Sequence, residues 1–308
     1  MNPFMHLFGP VPSRRYGRSL GVDLAVPKTC TLNCRFCQLG ATVQTTVTRT
    51  DTPPIAEVLG ELRDWFASGK TADFITASGS GEPTLHLSFG ELFRFVRDET
   101  SCRSLLLTNG TLFFLPEVRR DAARADVVKI SLHAWDQASF ERITRPHASL
   151  RFDTIIDGYR LFRQQFSGRL DLEVFIIPGI NDNEEQARRI ADLAQSFCPD
   201  AITLNTAVRP PADLAVTACP AERLQALVSF FGPHAHASGA EPTTAADEMS
   251  EAAIIALVCR HPVSLHALAV TFKKSEDEML AILKPLAKRR LLRFFESQNV
   301  PFAGPPLA

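Results

Sequence analysis

The sequence predicts an α/β protein, a partial (β/α)6 barrel followed by a small winged-helix-like C-terminal domain. Three observations carry this. Six short apolar segments each run into a polar or glycine-rich tip, stretches of helical periodicity separate them, and beyond residue 212 the alternation gives way to helices and a final pair of strand-like segments. Strand alternating with helix implies parallel strands joined by crossovers. A flat doubly wound sheet is the structural alternative, because the same alternation builds it. Parallel barrels gather their chemistry at the carboxyl ends of the strands, so all six tips are expected at one mouth. Six units rather than eight leave such a barrel open on one side.

In chain order, "SLGVDLAV" leads into a cysteine-bearing stretch and "DFITA" leads into "SGSGEPT". "SLLL" runs into "TNG", "DVVKI" into "SLHA", "DLEVFII" into "PGIND" and "AITL" into "NTAVRPP". Between the first two, "IAEVLGELRDWFASG" places Ile55, Val58, Leu59 and Leu62 on one helical face. The next helix, "SFGELFRFVRDE", has Leu92, Phe93 and Val96 as its stripe. Period-two alternation sends Lys129, Ser131 and His133 to one side of their strand, and Glu173 shares a face with Asp171, Phe175 and Ile177. In a barrel, Lys129 and Glu173 then point into the lumen within pairing reach. They are catalytic candidates, with a purely structural ion pair as the alternative.

Beyond "RPPADL", "PAERLQALVSFF" reads as one helix, opened by Pro220 and stopped by Gly232. "GPHAHASGAEPTTAADE" is small and polar, as a linker is. The expected division is a barrel with an N-terminal extension over 1–212, a helix and linker over 213–249, and the winged-helix-like domain over 250–308. That last piece has three helical segments, "EAAIIALVCR", "SLHALAVTF" and "SEDEMLAILKPLAKRRL", then "LLRFFES" and "VPFAG" as a hairpin. Ser275 and Glu278 form a capping-box pattern at the third helix, and Pro285 is expected to kink or shorten it. From Glu251 onward there are eight Lys/Arg against five Asp/Glu. Yet the third helix starts "SEDE", which repels phosphate, while Lys288, Arg289, Arg290 and Arg293 lie at its far end and on the wing. Duplex DNA is therefore not the expected partner. RNA backbone, a peptide or the barrel's own surface fits better, and a lid or dimer contact is the plainest role.

The formal net charge of −1 over 308 residues gives no bulk attraction to nucleic acid or anionic membrane. The first residues lack a signal peptide's pattern, and no apolar run is long enough to cross a bilayer. Seven cysteines, unevenly spread, argue against a disulfide framework and for a reduced, cytoplasmic compartment. Three of them, Cys30, Cys34 and Cys37, form "CTLNCRFC", a C-x3-C-x2-C pattern. Thiolates select zinc, copper or iron–sulfur clusters. A structural zinc site needs four ligands, and no partner pair follows downstream. Three thiolates can instead hold three irons of a [4Fe-4S] cube, with the fourth iron open to a small molecule. Cys102, Cys198, Cys219 and Cys259 are scattered singly and read as buried free thiols. The alternative for them is an auxiliary cluster assembled in space.

The cysteine spacing, with Phe36 before the last cysteine, resembles the radical S-adenosylmethionine (SAM) superfamily, whose partial (β/α)6 barrel agrees with the six units. The resemblance implies one [4Fe-4S] cluster on Cys30, Cys34 and Cys37, reductive cleavage of SAM, and a 5′-deoxyadenosyl radical that abstracts a substrate hydrogen. It also implies a reductant such as a flavodoxin or ferredoxin. "SGSGEPT" resembles the family's glycine–glutamate motif, in which Gly79 and Gly81 admit close backbone approach and Glu82 accepts the SAM ammonium. An ordinary tight turn is the alternative. By the same resemblance Phe36, Thr108, Asn109, Ser131 and Asn181 are candidate cofactor contacts.

"FGPVPSRRYGRSLGVDL", "GSGEPTL", "ITRPH", "GIND" and "RPP" extend the likeness to a branch of iron–sulfur oxidoreductases related to the wybutosine-synthesis enzymes of tRNA modification. It covers roughly residues 4 to 212. Two features depart from those enzymes: no cysteine precedes Cys30, and His133 stands in "SLHA" where relatives carry Asp. The wybutosine reaction is therefore not carried over, although branch analogy points to a nucleoside in RNA as substrate. Arg14, Arg15 and Arg209 are candidate substrate contacts, since a forked guanidinium suits phosphate or carboxylate, with surface ion pairing as the alternative. His133 is a candidate proton shuttle or substrate contact, with a satisfied structural histidine as the alternative. The other readings are a peptide- or protein-modifying radical enzyme whose tail binds peptide, and a non-catalytic iron–sulfur redox sensor acting through the winged helix.

Overall fold

The structure, a computed structural model, describes residues 4–13, 15–238, 250–260, 262–298 and 300–306. The chain opens with an antiparallel hairpin, β1 (Leu7–Ser13) and β2 (Gly17–Val22), whose turn includes Tyr16 and Gly17, the latter at φ +59°. A short parallel ladder of β3 (Thr29–Cys30) and β4 (Gln44–Thr45) then brackets the cysteine segment. The alternation follows as α1 (Ile55–Ala67), β5 (Phe74–Ala77), α2 (Phe89–Glu99), β6 (Arg103–Leu107), α3 (Pro116–Ala122) and β7 (Val127–Ser131). Next come α4 (Gln137–Thr144), α5 (Phe152–Gln165), β8 (Arg169–Phe175), α6 (Glu184–Gln195), β9 (Ala201–Asn205), α7 (Ala221–Val228) and β10 (Ala235–Ala237).

These strands form one eight-stranded sheet in the order β1-β2-β5-β6-β7-β8-β9-β10, and every pair from β2 to β10 is parallel. Sequential parallel order decides between the two architectures left open by the alternation: it is a barrel wall, since a doubly wound sheet reverses its strand order at a switch point. Among the described residues no pairing joins β10 back to β1, so the barrel is partial. The six anticipated strands are β2 and β5 to β9. Strand β10 was not anticipated. It lies in the polar stretch read as a linker, and three residues are too few for a period-two signal. Its pairing to β9, with Ala235 opposite Ile202, carries the sheet past residue 212.

The helices bury the faces their periodicity marks. Leu92, Phe93 and Val96 of α2 are buried as expected. In α1 the buried stripe is Val58, Leu62 and Trp65, while Ile55 and Leu59 are half-buried. Tyr16, Phe74, Leu105 and Val127 form a separate apolar cluster at the amino ends of the strands, so the β1–β2 turn plugs the barrel floor. The tyrosine hydroxyl donates to Asp171 Oδ2 at 2.7 Å, which satisfies its polar end inside.

The C-terminal unit runs α8 (Glu251–Arg260), β11 (Val263–Ser264), α9 (Leu265–Phe272), α10 (Glu276–Lys288), β12 (Arg293–Ser297) and β13 (Val300–Gly304). Its antiparallel sheet has the order β11-β13-β12, and Ile254, Val258, Leu268, Met279, Leu283 and Leu286 lie in a core of its own. The capping box at Ser275 and Glu278 is present. Pro285 does not end α10, which continues to Lys288. Helix α8 lies against β1. No helix of the described residues is long and apolar enough to cross a membrane.

Candidate active site

The cysteine loop leaves β3 and returns at β4. Its turns are closed by Cys37 N–H to Cys34 O at 3.2 Å and Gly40 N–H to Cys37 O at 3.1 Å. Asn33 N–H and Arg35 N–H donate to Thr144 O and Ile143 O, which pins the loop to the end of α4. This conformation brings Cys30, Cys34 and Cys37 to the wall of one cavity of about 240 Å³. Gly81, Glu82, Thr108, Asn109, Lys129, Ser131, His133 and Glu173 line the same cavity, together with Phe36. Four of the six tips expected at one mouth thus line this cavity, and those after β8 and β9 do not.

Three cysteine thiols at one cavity wall are the donor type that iron–sulfur centres take. None of the other four cysteines lines the cavity. Burial, reinforced by the Glu82 charge, pushes the Cys30 thiol up to about 12. Burial and the neighbouring Cys37 and Cys30 raise Cys34 well above the usual thiol range, and burial raises Cys37. Three half-buried thiols whose ionisation desolvation holds back need positive charge among them to become thiolates, which metal centres supply. Asn109 Nδ2 donates to Cys30 Sγ at 3.5 Å.

Glu82 is buried and its carboxylate is held by three residues from two segments. Its Oε1 accepts from Thr84 N–H at 3.1 Å, Thr84 Oγ1 at 2.7 Å and Thr108 Oγ1, and Oε2 accepts from Asn109 N–H at 2.9 Å. All four donors are neutral, and no ion pair to Glu82 is formed among the described residues. Burial raises its carboxyl pKa, against the pull of these hydrogen bonds. The arrangement is a preoriented carboxylate without a cation, and Oε2 keeps acceptor capacity toward the cavity.

Lys129, His133 and Glu173 line the same cavity from β7 and β8. Lys129 Nζ meets Glu173 Oε2 at 2.8 Å, as strand alternation predicted. Arg15 Nη2 reaches the same oxygen at 3.6 Å, and its Nη1 donates to Thr203 Oγ1. Oε1 of Glu173 has no hydrogen-bond partner among the described residues. His133 Nδ1 accepts Phe175 N–H at 2.8 Å, so the neutral ring carries its proton on Nε2. The ring stands edge-on to Phe36, which stacks on Phe175 with centroids 4.2 Å apart.

Burial pushes the His133 pKa down to about 4, with Glu173 opposing and Lys129 reinforcing. Burial thus favours the neutral ring, which presents Nε2–H as a hydrogen-bond donor. For Glu173 burial acts upward, but Lys129 and Arg15 outweigh it and hold the carboxyl at about 2. Between about 4 and 6.5 the unfolded chain protonates His133 while the folded chain does not, so stability falls as pH falls through that window. The Glu173 contribution is complete above its unfolded value of 4.5 and is lost as pH falls toward 2. From pH 7 to pH 4 the His133 effect amounts to about 3 kcal/mol. Urea melts of apo wild type and His133→Gln at the two pH values check this. Equal pH slopes for the two proteins would refute it.

Several expected contacts take other places. Gly81 lines the cavity, and both Gly79 and Gly81 also allow close approach of the chain to itself. A Cβ on Gly79, at φ +147°, would sit 2.3 Å from Asp23 Oδ1, and one on Gly81 would sit 2.1 Å from Thr29 O. Gly79 does not line the cavity. Asn181 is fully buried and its amide is spent on backbone: Oδ1 accepts Ile177 N–H, and Nδ2 donates to His133 O and Phe175 O. It therefore shapes the loop and has no face on the cavity. Arg15 backs Glu173 from the barrel floor and does not line the cavity, Arg209 donates to Gln38, and Arg14 lies outside the described residues. Of the four remaining cysteines, all expected to be buried, only Cys219 is; Cys102 is half-buried and Cys198 and Cys259 are exposed. Tyr159 had no sequence signal, since it sits in the ordinary apolar pattern of α5. Its hydroxyl donates to Asn109 O at 2.6 Å and Ser131 O at 3.0 Å, tying two cavity strands together.

An open parallel barrel with three thiols and a preoriented carboxylate at one mouth defines a class of cofactor-dependent enzymes. The model of the Radical SAM superfamily matches residues 25–194, more than half of the chain, and the chain belongs to that superfamily. Within it the chain groups with the UPF0026 proteins. It is 36% identical over 208 residues to UPF0026 protein slr1464 of Synechocystis, covering 67% of this chain and 77% of that one. A Brachyspira hyodysenteriae protein named GTPase Obg is 31% identical over 93% of this chain, which spans only 43% of that protein's length. A probable dual-specificity RNA methyltransferase RlmN of Desulforudis audaxviator is 27% identical over 58% of this chain and 56% of its own. Among solved structures, TYW1 with a lysine-pyruvate adduct bound aligns with TM-score 0.53 at 17% identity, over 70% of this chain and 72% of that one, which shows the shared fold. Membership implies a [4Fe-4S] cluster and SAM.

Proposed function

We propose that this radical SAM enzyme holds one [4Fe-4S] cluster on Cys30, Cys34 and Cys37 and the SAM ammonium on Glu82, and acts on a nucleoside in RNA. The observation that carries the reading is the convergence of the three thiols and Glu82 on one cavity that Lys129, His133 and Glu173 also line. The cluster, when bound, supplies the electron that cleaves SAM reductively. The protein's part is to orient. Glu82 presents a carboxylate already fixed by Thr84, Thr108 and Asn109, so little reorganisation accompanies binding of an ammonium. Lys129 and His133 offer donors and Glu173 offers an ionised acceptor, a set suited to the polar edge of a flipped base. Similarity to an RNA methyltransferase supports RNA over other substrates. We read the C-terminal unit as winged-helix-like, with its strand order β11-β13-β12 and separate core in support.

The test is anaerobic reconstitution with dithionite and SAM, with release of 5′-deoxyadenosine followed in the presence of RNA pools or peptides. RNA is expected to raise release and to bind with a log–log salt slope of about −0.7 per phosphate contact. If RNA neither binds with such a slope nor raises release, the RNA reading falls while the superfamily assignment stands.

A further inference from the structure

None of residues 33–43 of the cysteine loop is buried. Cys34 and Phe36 pack against the barrel core, Phe36 being stacked on Phe175, and the polar contacts of the loop add to that anchorage. Several of these come from one strap, residues 206–219, which follows β9. The strap is seated by Val216 and Cys219, both buried, and by Cys219 N–H to Thr206 Oγ1 at 2.7 Å. From it Asp213 reaches the cysteine loop in two ways. Its N–H donates to Arg35 O at 2.8 Å, and its Oδ2 accepts from Arg35 Nε at 2.8 Å. The same Oδ2 accepts from Arg145 Nη2 at 2.9 Å, just beyond the α4 end to which the loop is pinned. Arg209 of the strap donates to Gln38, next to Cys37. An isolated surface ion pair contributes little, but a carboxylate shared by two guanidiniums and locked by its own backbone is a network.

The strap is held in turn from the C-terminal unit. Gln298 sits in the β12–β13 turn at φ +52°. Its Oε1 accepts Ala218 N–H and its Nε2 donates to Val216 O, both at 3.3 Å. One side-chain amide thus mimics a strand pairing with the strap. Continuous contacts therefore run from the C-terminal hairpin through the strap to Arg35, between Cys34 and Cys37.

We propose that Asp213 is a positioning residue for the cysteine loop, and that Gln298 sets the strap that carries it, so that the C-terminal unit controls how firmly the three cysteines are presented. This linkage belongs to the apo chain and stands apart from the substrate reading. The experiment is hydrogen–deuterium exchange on the full-length, reduced apo protein. Asp213→Ala is expected to speed exchange over residues 33–43 about tenfold, the effect of losing one charged hydrogen bond from local opening. Asp213→Glu is expected to restore part of the protection. Gln298→Ala is expected to speed exchange over 213–219 and, severalfold, over 33–43. Asp157→Ala, which removes an exposed pair with Arg160 elsewhere, is expected to do neither. Should Asp213→Ala not fold, Asp213→Asn keeps the acceptor and removes the charge, with the same sign expected. A folded Asp213 variant with wild-type exchange over 33–43 overturns the proposal, as does a Gln298→Ala effect confined to the β12–β13 hairpin. After reconstitution, Asp213→Ala is further expected to change the line shape of the reduced cluster's EPR signal, which Asp157→Ala leaves alone. Iron uptake by wild type is a separate matter, so its failure would strike the cluster reading and not this linkage.

Discussion

Cys34→Ala is expected to abolish iron retention and bring release of 5′-deoxyadenosine down to that of protein-free controls. Cys34 is the middle member of C-x3-C-x2-C, and its thiol is raised by burial and by both neighbouring cysteines. Removing it leaves two thiols at opposite ends of the loop. Two ligands cannot close a site for which no fourth cysteine is at hand in the cavity. The fold is expected to survive, because a buried free cysteine behaves as a small apolar residue and its truncation costs about 1 kcal/mol. Anaerobic reconstitution, iron analysis and EPR on wild type and variant, with urea melts of both apo proteins, separate lost ligation from lost folding. A folded Cys34→Ala protein with wild-type iron content and EPR signal would sink the assignment.

The second large effect is expected at Glu82. Glu82→Gln removes the negative charge and turns an acceptor that faces Asn109 N–H into a donor. Either consequence alone weakens capture of an ammonium. Truncating one partner of a buried charge-assisted pair costs about 2–5 kcal/mol, so SAM affinity is expected to fall about 100-fold or more. Glu82→Ala additionally strands the Thr84, Thr108 and Asn109 donors, and a loss of roughly 3 kcal/mol in stability is expected with it. Thr108→Val provides the graded comparison, since it removes one of the three donors to Oε1 and leaves the charge. Its effect on affinity is expected to be about tenfold. Titration of SAM against the EPR signal of the reduced cluster reads all three. Unchanged affinity in Glu82→Gln would show that the ammonium is held elsewhere.

The Arg15–Glu173–Lys129 group behaves differently from these two residues. Two cations share one carboxylate oxygen, so the partly buried group carries a net positive charge. Such a group specifies geometry more than it adds stability. It keeps Glu173 ionised at the cavity wall.

Much of this site is legible in local pattern. The strand-and-tip rhythm, the C-x3-C-x2-C spacing, the face shared by Lys129, Ser131 and His133, and the capping box at Ser275 all depend on residues within a few positions of one another. Backbone geometry with a period of 2 or 3.6 therefore settles them before any tertiary contact forms. The lumen pair of Lys129 and Glu173 follows the same rule, because alternation fixes side-chain direction once the strands are parallel. What required the folded chain is of another kind. Glu82 gathers donors from Thr108 and Asn109 at the end of the neighbouring strand β6, and Arg15 approaches Glu173 from the floor because the β1–β2 turn folds under the barrel. Gly79 and Gly81 are glycines for the sake of Asp23 and Thr29 O, Asn181 turns its amide to backbone, β10 adds a strand inside an apparent linker, and Asp213 reaches back 178 residues to Arg35. Each of these turns on which segments become neighbours and in what register. That is set by crossover connections and shared burial across the whole barrel, and no window of local sequence contains it.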